Sequence, residues 1–204
     1  MASVAAASAS GGLTVRARLR VLTAALLLAG ALSACSSGDD PSPDEGSGKE
    51  DAALEVELAS GVAGLDTQAR SGVQNAVGDV LSEYVVAGFL GDYPREDFVQ
   101  SFDRFTAGAA RGAARDIELL TAARFSDSDG LRATRLLARI SCLTTGGEVV
   151  GATAHVDFTF EVSDHRAAPT PISLRGRFLM DRRDGRWSIF GYDVVRDDAE
   201  PVGS

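Results

Sequence analysis

Asp193 is the residue in this sequence best suited to acid–base chemistry. It lies in an apolar run near the end of the chain that also contains Trp187, Ile189 and Val195. In a regular strand these odd-numbered positions share one face. A carboxyl group held in an apolar pocket can act as a general base. The alternative is that Asp193 reaches solvent or pairs with an arginine such as Arg182. The sequence alone leaves both interpretations open.

The two histidines do not indicate a metal site. His155 lies on the polar side of a strand-like run, and His165 lies in a polar loop. No third ligand joins them at a spacing typical of zinc. The segment around Asp127 and Asp129 lacks the first acid and the final glutamate of a calcium-binding loop. Since phosphate loops, nucleophile elbows and dinucleotide-binding motifs are also missing from the sequence, we predict no metal and no cofactor.

Cys35 ends the tetrapeptide Leu-Ser-Ala-Cys. Three arginines precede an apolar core at 21–31, which has the length of a signal-peptide core and is too short to span a bilayer. This arrangement resembles the lipobox of bacterial lipoproteins. The resemblance implies that 1–34 is a signal peptide and that Cys35 is lipidated, which would anchor the protein at the outer face of the cytoplasmic membrane. The alternative is an uncleaved anchor with a chance cysteine.

Charge and cysteine content narrow the class of protein. The net charge is −9 at pH 7, which argues against a nucleic-acid partner. If Cys35 is lipidated, Cys142 has no partner for a disulfide. Cys142 is then either a small buried hydrophobe, which we favour, or a reactive thiol.

The composition divides the chain into a tether and one domain. Residues 36–51 carry no apolar side chain except proline, so together with Cys35 they are expected to form a disordered acidic tether. Residues 52–198 have the size of a single domain, and 199–204 form a short tail.

Three helices are expected before the strands. Asp66 is a plausible N-cap for an amphipathic helix that runs to Gly88. A short second helix is expected from residue 93, with Phe98, Phe102 and Phe105 on one face. A third is expected to run from Thr106 as its N-cap to residue 123.

Four strands follow, at 132–143, 148–162, 172–182 and 186–196, each with period-two alternation. For the first hairpin, a three-residue loop at 145–147 keeps apolar faces together. It pairs Ile140 with Ala152 and sets Arg135 opposite Asp157 as an ion pair.

The second hairpin is expected to turn at Asp184-Gly185 and to place Gly176 opposite Asp193. One face then carries Leu174, Phe178, Met180, Trp187, Ile189 and Val195. The opposite face carries a second apolar set that needs cover from the sheet itself, a partner protein or a second copy of the chain. That set comprises Leu179, Phe190, Tyr192 and Val194.

Helices followed by a meandering sheet and a final Asp-Gly-Arg-Trp hairpin resemble the nuclear-transport-factor-like, SnoaL-like or cystatin-like cone fold. The resemblance implies an α+β domain in which N-terminal helices pack on a curved antiparallel sheet of four to five strands. It also implies a pocket, for which Tyr84, Trp187 and Asp193 are the candidate residues. The leading hypothesis is a non-catalytic module that binds a partner protein or a small apolar ligand. The alternative is a pocket enzyme, similar to isomerases, cyclases or dehydratases, that uses an acid such as Asp193.

Overall fold

The computed structural model describes residues 50–165 and 167–198. They form an α+β domain with a five-stranded mixed sheet in the order β1-β2-β3-β4-β5. The strands are β1 (Leu54–Ser60), β2 (Gly130–Thr145), β3 (Glu148–Asp164), β4 (Ala167–Arg183) and β5 (Arg186–Asp198). The helices are α1 (Thr67–Gly88), α2 (Ala107–Ala113) and α3 (Ile117–Leu120), with 3₁₀ turns at Val99–Phe102 and Ala123–Phe125. Cys35, the predicted signal peptide at 1–34, the predicted tether up to residue 49 and the tail 199–204 lie outside the described residues.

The long helix α1 begins and ends as its sequence predicts. Asp66 is the N-cap, and its Oδ1 accepts a hydrogen bond from the Ala69 amide at 2.7 Å. This bond satisfies one of the amide groups that a helix start leaves without a partner. The apolar residues at three- and four-residue spacing are buried, among them Val77, Val80 and Leu81.

Strand β1 is the element that the sequence analysis missed. Leu54, Val56 and Leu58 alternate with two glutamates, and each of the three is less exposed than its neighbours. The strand pairs parallel to β2, with Leu58 opposite Ile140. The expectation of a wholly antiparallel sheet is therefore wrong, while the expectation of up to five strands holds. Asp51, the last residue of the predicted tether, is bound to the folded domain, since its Oδ1 accepts a hydrogen bond from the Ala133 amide at 2.7 Å.

The segment between α1 and β2 is less helical than predicted. Phe98, Phe102 and Phe105 are buried, but they lie on a 3₁₀ turn and its flanks instead of on an α-helix. Thr106 is an N-cap, as expected, and its helix α2 ends at Ala113. Asp116, which follows, accepts a hydrogen bond from the hydroxyl of Tyr192 on β5 at 2.7 Å, and this contact ties the chain after α2 to the sheet.

The β2–β3 hairpin keeps both the tight turn and consistent faces. Thr145 pairs with Glu148, so the loop has two residues. Val150 is an extra residue in β3, a β-bulge that restores the pairing of inward-facing positions. Ile140 consequently pairs with Ala154, and the three-residue loop is wrong. The predicted Arg135–Asp157 ion pair forms across the strands at 3.0 Å, although the two residues are not directly opposite.

The β4–β5 hairpin turns at Asp184-Gly185, as expected, but it contains a bulge further on. Met180 pairs with Ile189, and Leu179 pairs with Gly191, so that Phe190 is an extra residue in β5. Beyond Phe190 every side chain of β5 lies on the face opposite to the expected one. Val194 is therefore buried, while Val195 is 60% exposed.

The core lies between α1 and one face of the sheet, called here the inner face. Tyr84 of α1 contacts Phe178 of β4 edge-to-face, with ring centroids 5.0 Å apart. Phe89 stacks on Phe160 of β3 at 4.3 Å. Aromatic side chains thus fill the space between the helix and the middle of the sheet.

Candidate functional site

Asp193 lies on the outer face of the sheet, away from α1. It pairs with Arg177 in the strand register, and the guanidinium donates to Asp193 Oδ2 from Nε at 3.1 Å and from Nη2 at 2.9 Å. The Asp193 side chain is 68% exposed. The expected position opposite Gly176, on the apolar face, is wrong because the Phe190 bulge reverses the faces. Of the two interpretations of this acid, the structure supports the solvent-exposed ion pair, with Arg177 in place of Arg182.

Tyr84 is part of the core. It is 1% exposed, and its hydroxyl donates to the carbonyl oxygen of Leu120 at the end of α3. Burial raises the pKa of the Tyr84 phenol above its usual range. The hydroxyl therefore remains a hydrogen-bond donor that fixes α3 against α1.

Trp187 lies at the turn end of β5, where it is 5% exposed. It forms part of a cleft beside the first half of α1, together with Val73 and Val149. The structure therefore does not gather the three candidate pocket residues. Tyr84 is in the core, Trp187 is beside the cleft and Asp193 is on the outer face.

The outer face carries an exposed apolar patch near the hairpin turns, formed by Leu143, Val150, Leu179 and Phe190 and called here the outer patch. Leu143 is 63% exposed, Phe190 47% and Val150 39%, while Leu179 is half-buried. These four residues line a groove of about 460 Å³. Two of them, Val150 and Phe190, are the extra residues of the bulges near the two hairpin turns, and bulges often redirect a side chain in this way.

The polar border of the groove is sparse. Asp181 and Arg183 lie at one side and form an ion pair at 2.6 Å. Cys142 is half-buried in the groove, and burial raises the pKa of its thiol. A thiol with a raised pKa is a poor nucleophile at neutral pH, so the structure favours the interpretation of Cys142 as a small hydrophobe.

The predicted second apolar face is half correct. Leu179 and Phe190 belong to the outer patch, as expected. Tyr192 and Val194 face inward instead, because they follow the bulge. The ring of Tyr192 lies 6.3 Å from that of Phe105. Burial, with the hydrogen bond to Asp116 as a second cause, raises the pKa of Tyr192 to about 12.

The histidines lie apart from one another on the surface. His155 is exposed, and in the strand register it lies opposite Arg139 of β2 and Arg177 of β4. His165 Nε2 lies 3.0 Å from Asp129 Oδ1, and the His165 side chain is 88% exposed. Within the described residues, no three histidine, cysteine or acidic side chains cluster closely enough to hold a metal ion.

Arg196 is a buried charged residue that the sequence analysis overlooked. Its side chain is 5% exposed; Nε donates to Asp198 Oδ1 at 2.6 Å, and Nη1 donates to the Thr121 carbonyl at 2.6 Å. The guanidinium also lies 5.1 Å from the ring centroid of Phe125. The available signal was that Arg196 shares a strand face with Tyr192 and Val194. This face can be recognised as the inner one only when the position of the Phe190 bulge is known.

Comparison with known proteins finds no matching family model, no matching curated protein and no matching solved structure. Among the described residues, no helix has both the length and the apolar character needed to cross a membrane.

Proposed function

We propose that this chain is a lipid-anchored bacterial lipoprotein whose cone-like α+β domain serves as a non-catalytic binding module outside the cytoplasmic membrane. The outer patch is its docking surface for a partner protein. The observation that carries the proposal is the contrast between the two faces of the sheet. Aromatic side chains pack the middle of the inner face against α1, whereas the outer patch leaves three large apolar side chains in solvent.

The charges around the outer patch support docking through apolar contact. Arg177 is paired with Asp193, Arg183 with Asp181 and Arg139 with Glu57, all within the chain. A partner therefore need not supply charges to neutralise this face. Completing the burial of a half-exposed phenylalanine contributes roughly 1 kcal/mol, and the neighbouring aliphatic side chains add comparable amounts. Such a patch suits the apolar centre of an interface with a polar rim.

The exposed position of Asp193 weighs against the enzyme alternative. A general base in an apolar pocket must be shielded from water and free to accept a proton. Asp193 is 68% exposed, and its Oδ2 accepts two hydrogen bonds from Arg177. Binding is therefore the better-supported function.

The docking surface can be tested with Phe190→Glu and a matched control, Val99→Glu. Val99 is 59% exposed and lies on the 3₁₀ turn after α1, so its substitution adds the same charge outside the patch. In cross-linking and co-purification from native membranes, the wild type and Val99→Glu should retain the same partner and Phe190→Glu should lose it. The melting temperatures of both variants should stay near that of the wild type. Equal recovery of the partner with both variants would contradict the proposal.

The anchor needs a separate test. Cys35→Ala should release the protein from the membrane fraction or leave a larger, unprocessed precursor, because the thiol is the site that would be lipidated. Wild-type mass and fractionation in this variant would exclude the lipoprotein assignment without affecting the outer patch.

A further inference from the structure

A second concave surface lies on the opposite side of the sheet, where the first half of α1 passes over the two hairpin turns. It is a cleft of about 310 Å³. Its wall on the helix side is formed by Ala69, Gly72 and Ala76, and its base by Val73, Val149 and Trp187. The volume lies at the lower end of the range of about 300–1,000 Å³ that is typical of small-molecule sites.

The base of the cleft is apolar and the wall leaves room for a ligand. Val73, Val149 and Trp187 are 8%, 6% and 5% exposed, so they present a packed surface to the cleft. A Cβ atom built on Gly72 would have no neighbour within 4 Å. The helix side of the cleft therefore leaves room at Gly72 for an aliphatic group to enter towards its apolar base.

Two opposite charges stand in the same cleft and do not neutralise each other. Arg182 of β4 and Glu148 of β3 both line it, and both are exposed. Neither side chain forms an ion pair or hydrogen bond with any other described residue, in contrast to Arg175, Arg177 and Arg183 of β4, which each form an ion pair. Arg182 is directly opposite Trp187 in the strand register, so its side chain leaves the strand on the inner side of the sheet, next to the Trp187 side chain.

We propose that this cleft binds a small zwitterion with an apolar side chain, that is, a free amino acid or a short peptide. Arg182 would hold the carboxylate and Glu148 the ammonium group, while the apolar side chain would lie on Trp187. An apolar ligand without charges would leave both side chains unused. A simple anion would place its charge near the Glu148 carboxylate without compensation. A zwitterion is the class that satisfies both charges at once.

The site is independent of the outer patch, because the two lie on opposite faces of the sheet and share no lining residue. Failure of the zwitterion proposal would therefore leave the docking proposal intact, and the reverse also holds.

Trp187 is the only tryptophan of the chain and provides a direct probe. The experiment is a titration of Trp187 fluorescence in the full chain, held in detergent micelles, with L-leucine and with L-leucyl-L-leucine. Tighter binding of L-leucine would identify the ligand class as a free amino acid, and tighter binding of L-leucyl-L-leucine would identify it as a short peptide. Isocaproate, which lacks the ammonium group, and isoamylamine, which lacks the carboxylate, are the matched analogues.

We expect saturable binding of one of the two zwitterions. Both analogues should bind at least about tenfold more weakly, as expected when one charge-assisted contact is lost. Arg182→Gln and Glu148→Gln should each weaken zwitterion binding by a similar factor, and Gly72→Leu should abolish it by filling the cleft. Arg183→Gln, which removes a neighbouring arginine on the outer side, should leave the affinity unchanged.

Two results would overturn the proposal. One is the lack of any saturable change in Trp187 emission with both zwitterions up to about 10 mM, a concentration at which a millimolar site is nearly filled. The other is binding that responds to neither Arg182→Gln nor Glu148→Gln while circular dichroism shows that both variants are folded.

Discussion

Gly176 in the middle of β4 gives the most direct test of the sheet geometry. Its φ is +140°, a conformation that residues with a side chain rarely adopt. A Cβ atom at this position would lie 2.2 Å from the carbonyl oxygen of Asp193 and 2.6 Å from Cα of Val194. Both are backbone atoms of β5, so no side chain can turn aside to make room.

The substitution Gly176→Ala should therefore destabilise the domain strongly. Backbone strain at an unfavourable φ costs about 1–3 kcal/mol, and forcing apart packed backbone costs about 1–3 kcal/mol more. The free energy of unfolding should fall by roughly 2–6 kcal/mol, the sum of the two costs. With an m-value of about 2 kcal/mol/M in urea, the midpoint of unfolding should fall by about 1–3 M.

Urea unfolding followed by circular dichroism and by Trp187 fluorescence measures this effect. Gly72→Ala is the matched control, since Gly72 is an exposed helical glycine with open space around its Cβ position. That variant should gain up to about 1 kcal/mol from the higher helix propensity of alanine. An unchanged midpoint for Gly176→Ala would refute the close approach of β4 and β5 and, with it, the register that follows the Phe190 bulge.

Three further predictions concern ionisable groups. Burial raises the pKa of Tyr93 and of Tyr192 from 10.0 to about 12, and raises that of Tyr84 further still. Because the unfolded chain loses these protons at lower pH, the stability that the buried tyrosines contribute is complete below pH 10 and is lost as the pH rises towards 12. Tyrosinate absorbance should therefore appear together with unfolding. A tyrosine that titrates near pH 10 in the folded chain would contradict the burial. Arg196→Met should lower the free energy of unfolding by about 3 kcal/mol, because it leaves buried carbonyl oxygens and a carboxylate without their donor; a change below about 1 kcal/mol in chemical denaturation would show that the guanidinium is not needed there. Asp193→Asn should change stability by less than about 1 kcal/mol, since its ion pair is exposed to solvent; a large loss by the same assay would mean that the carboxylate has a structural role.

The elements with a local signal could be predicted from the sequence. Asp66 before an amphipathic run predicts the start of α1, and Asp184-Gly185 predicts the last turn; both are observed. Strand β1 carries the same kind of signal in its alternating Leu-Glu-Val-Glu-Leu segment. The segment was not recognised as a strand because it is short and its glutamates continue the acidic sequence that precedes it.

The helical region after α1 was harder to predict because its structure depends on β5. Alanine-rich sequence from 107 to 123 favours one continuous helix. The chain instead breaks between α2 and α3, where Asp116 accepts a hydrogen bond from Tyr192. It ends α3 at Leu120, after which the carbonyl of Thr121 accepts a hydrogen bond from Arg196. Both donors, Tyr192 and Arg196, are distant in sequence, so the local helix propensity of 107–123 does not reflect these contacts.

The assignment of faces failed at the bulges, and the sequence did carry a signal for them. At the two bulges near the hairpin turns, the extra residue directly precedes a glycine in the interior of a strand, as Val150-Gly151 and Phe190-Gly191. Glycine at such a position often marks a bulge. A Cβ on Gly151 would lie 3.2 Å from the Met180 carbonyl oxygen, so a larger residue there would require β4 to shift slightly.

These bulges also connect the fold to the proposed function. In a regular strand, Phe190 would be followed on its own face by Tyr192 and Val194, and the three would form one large apolar surface in solvent. The bulge instead turns Tyr192 and Val194 into the core and leaves Phe190 outside, next to the extra residue Val150 of the other bulge. The outer patch is thus reduced to a few side chains grouped around one groove, which suits a limited docking surface better than a face that would drive aggregation.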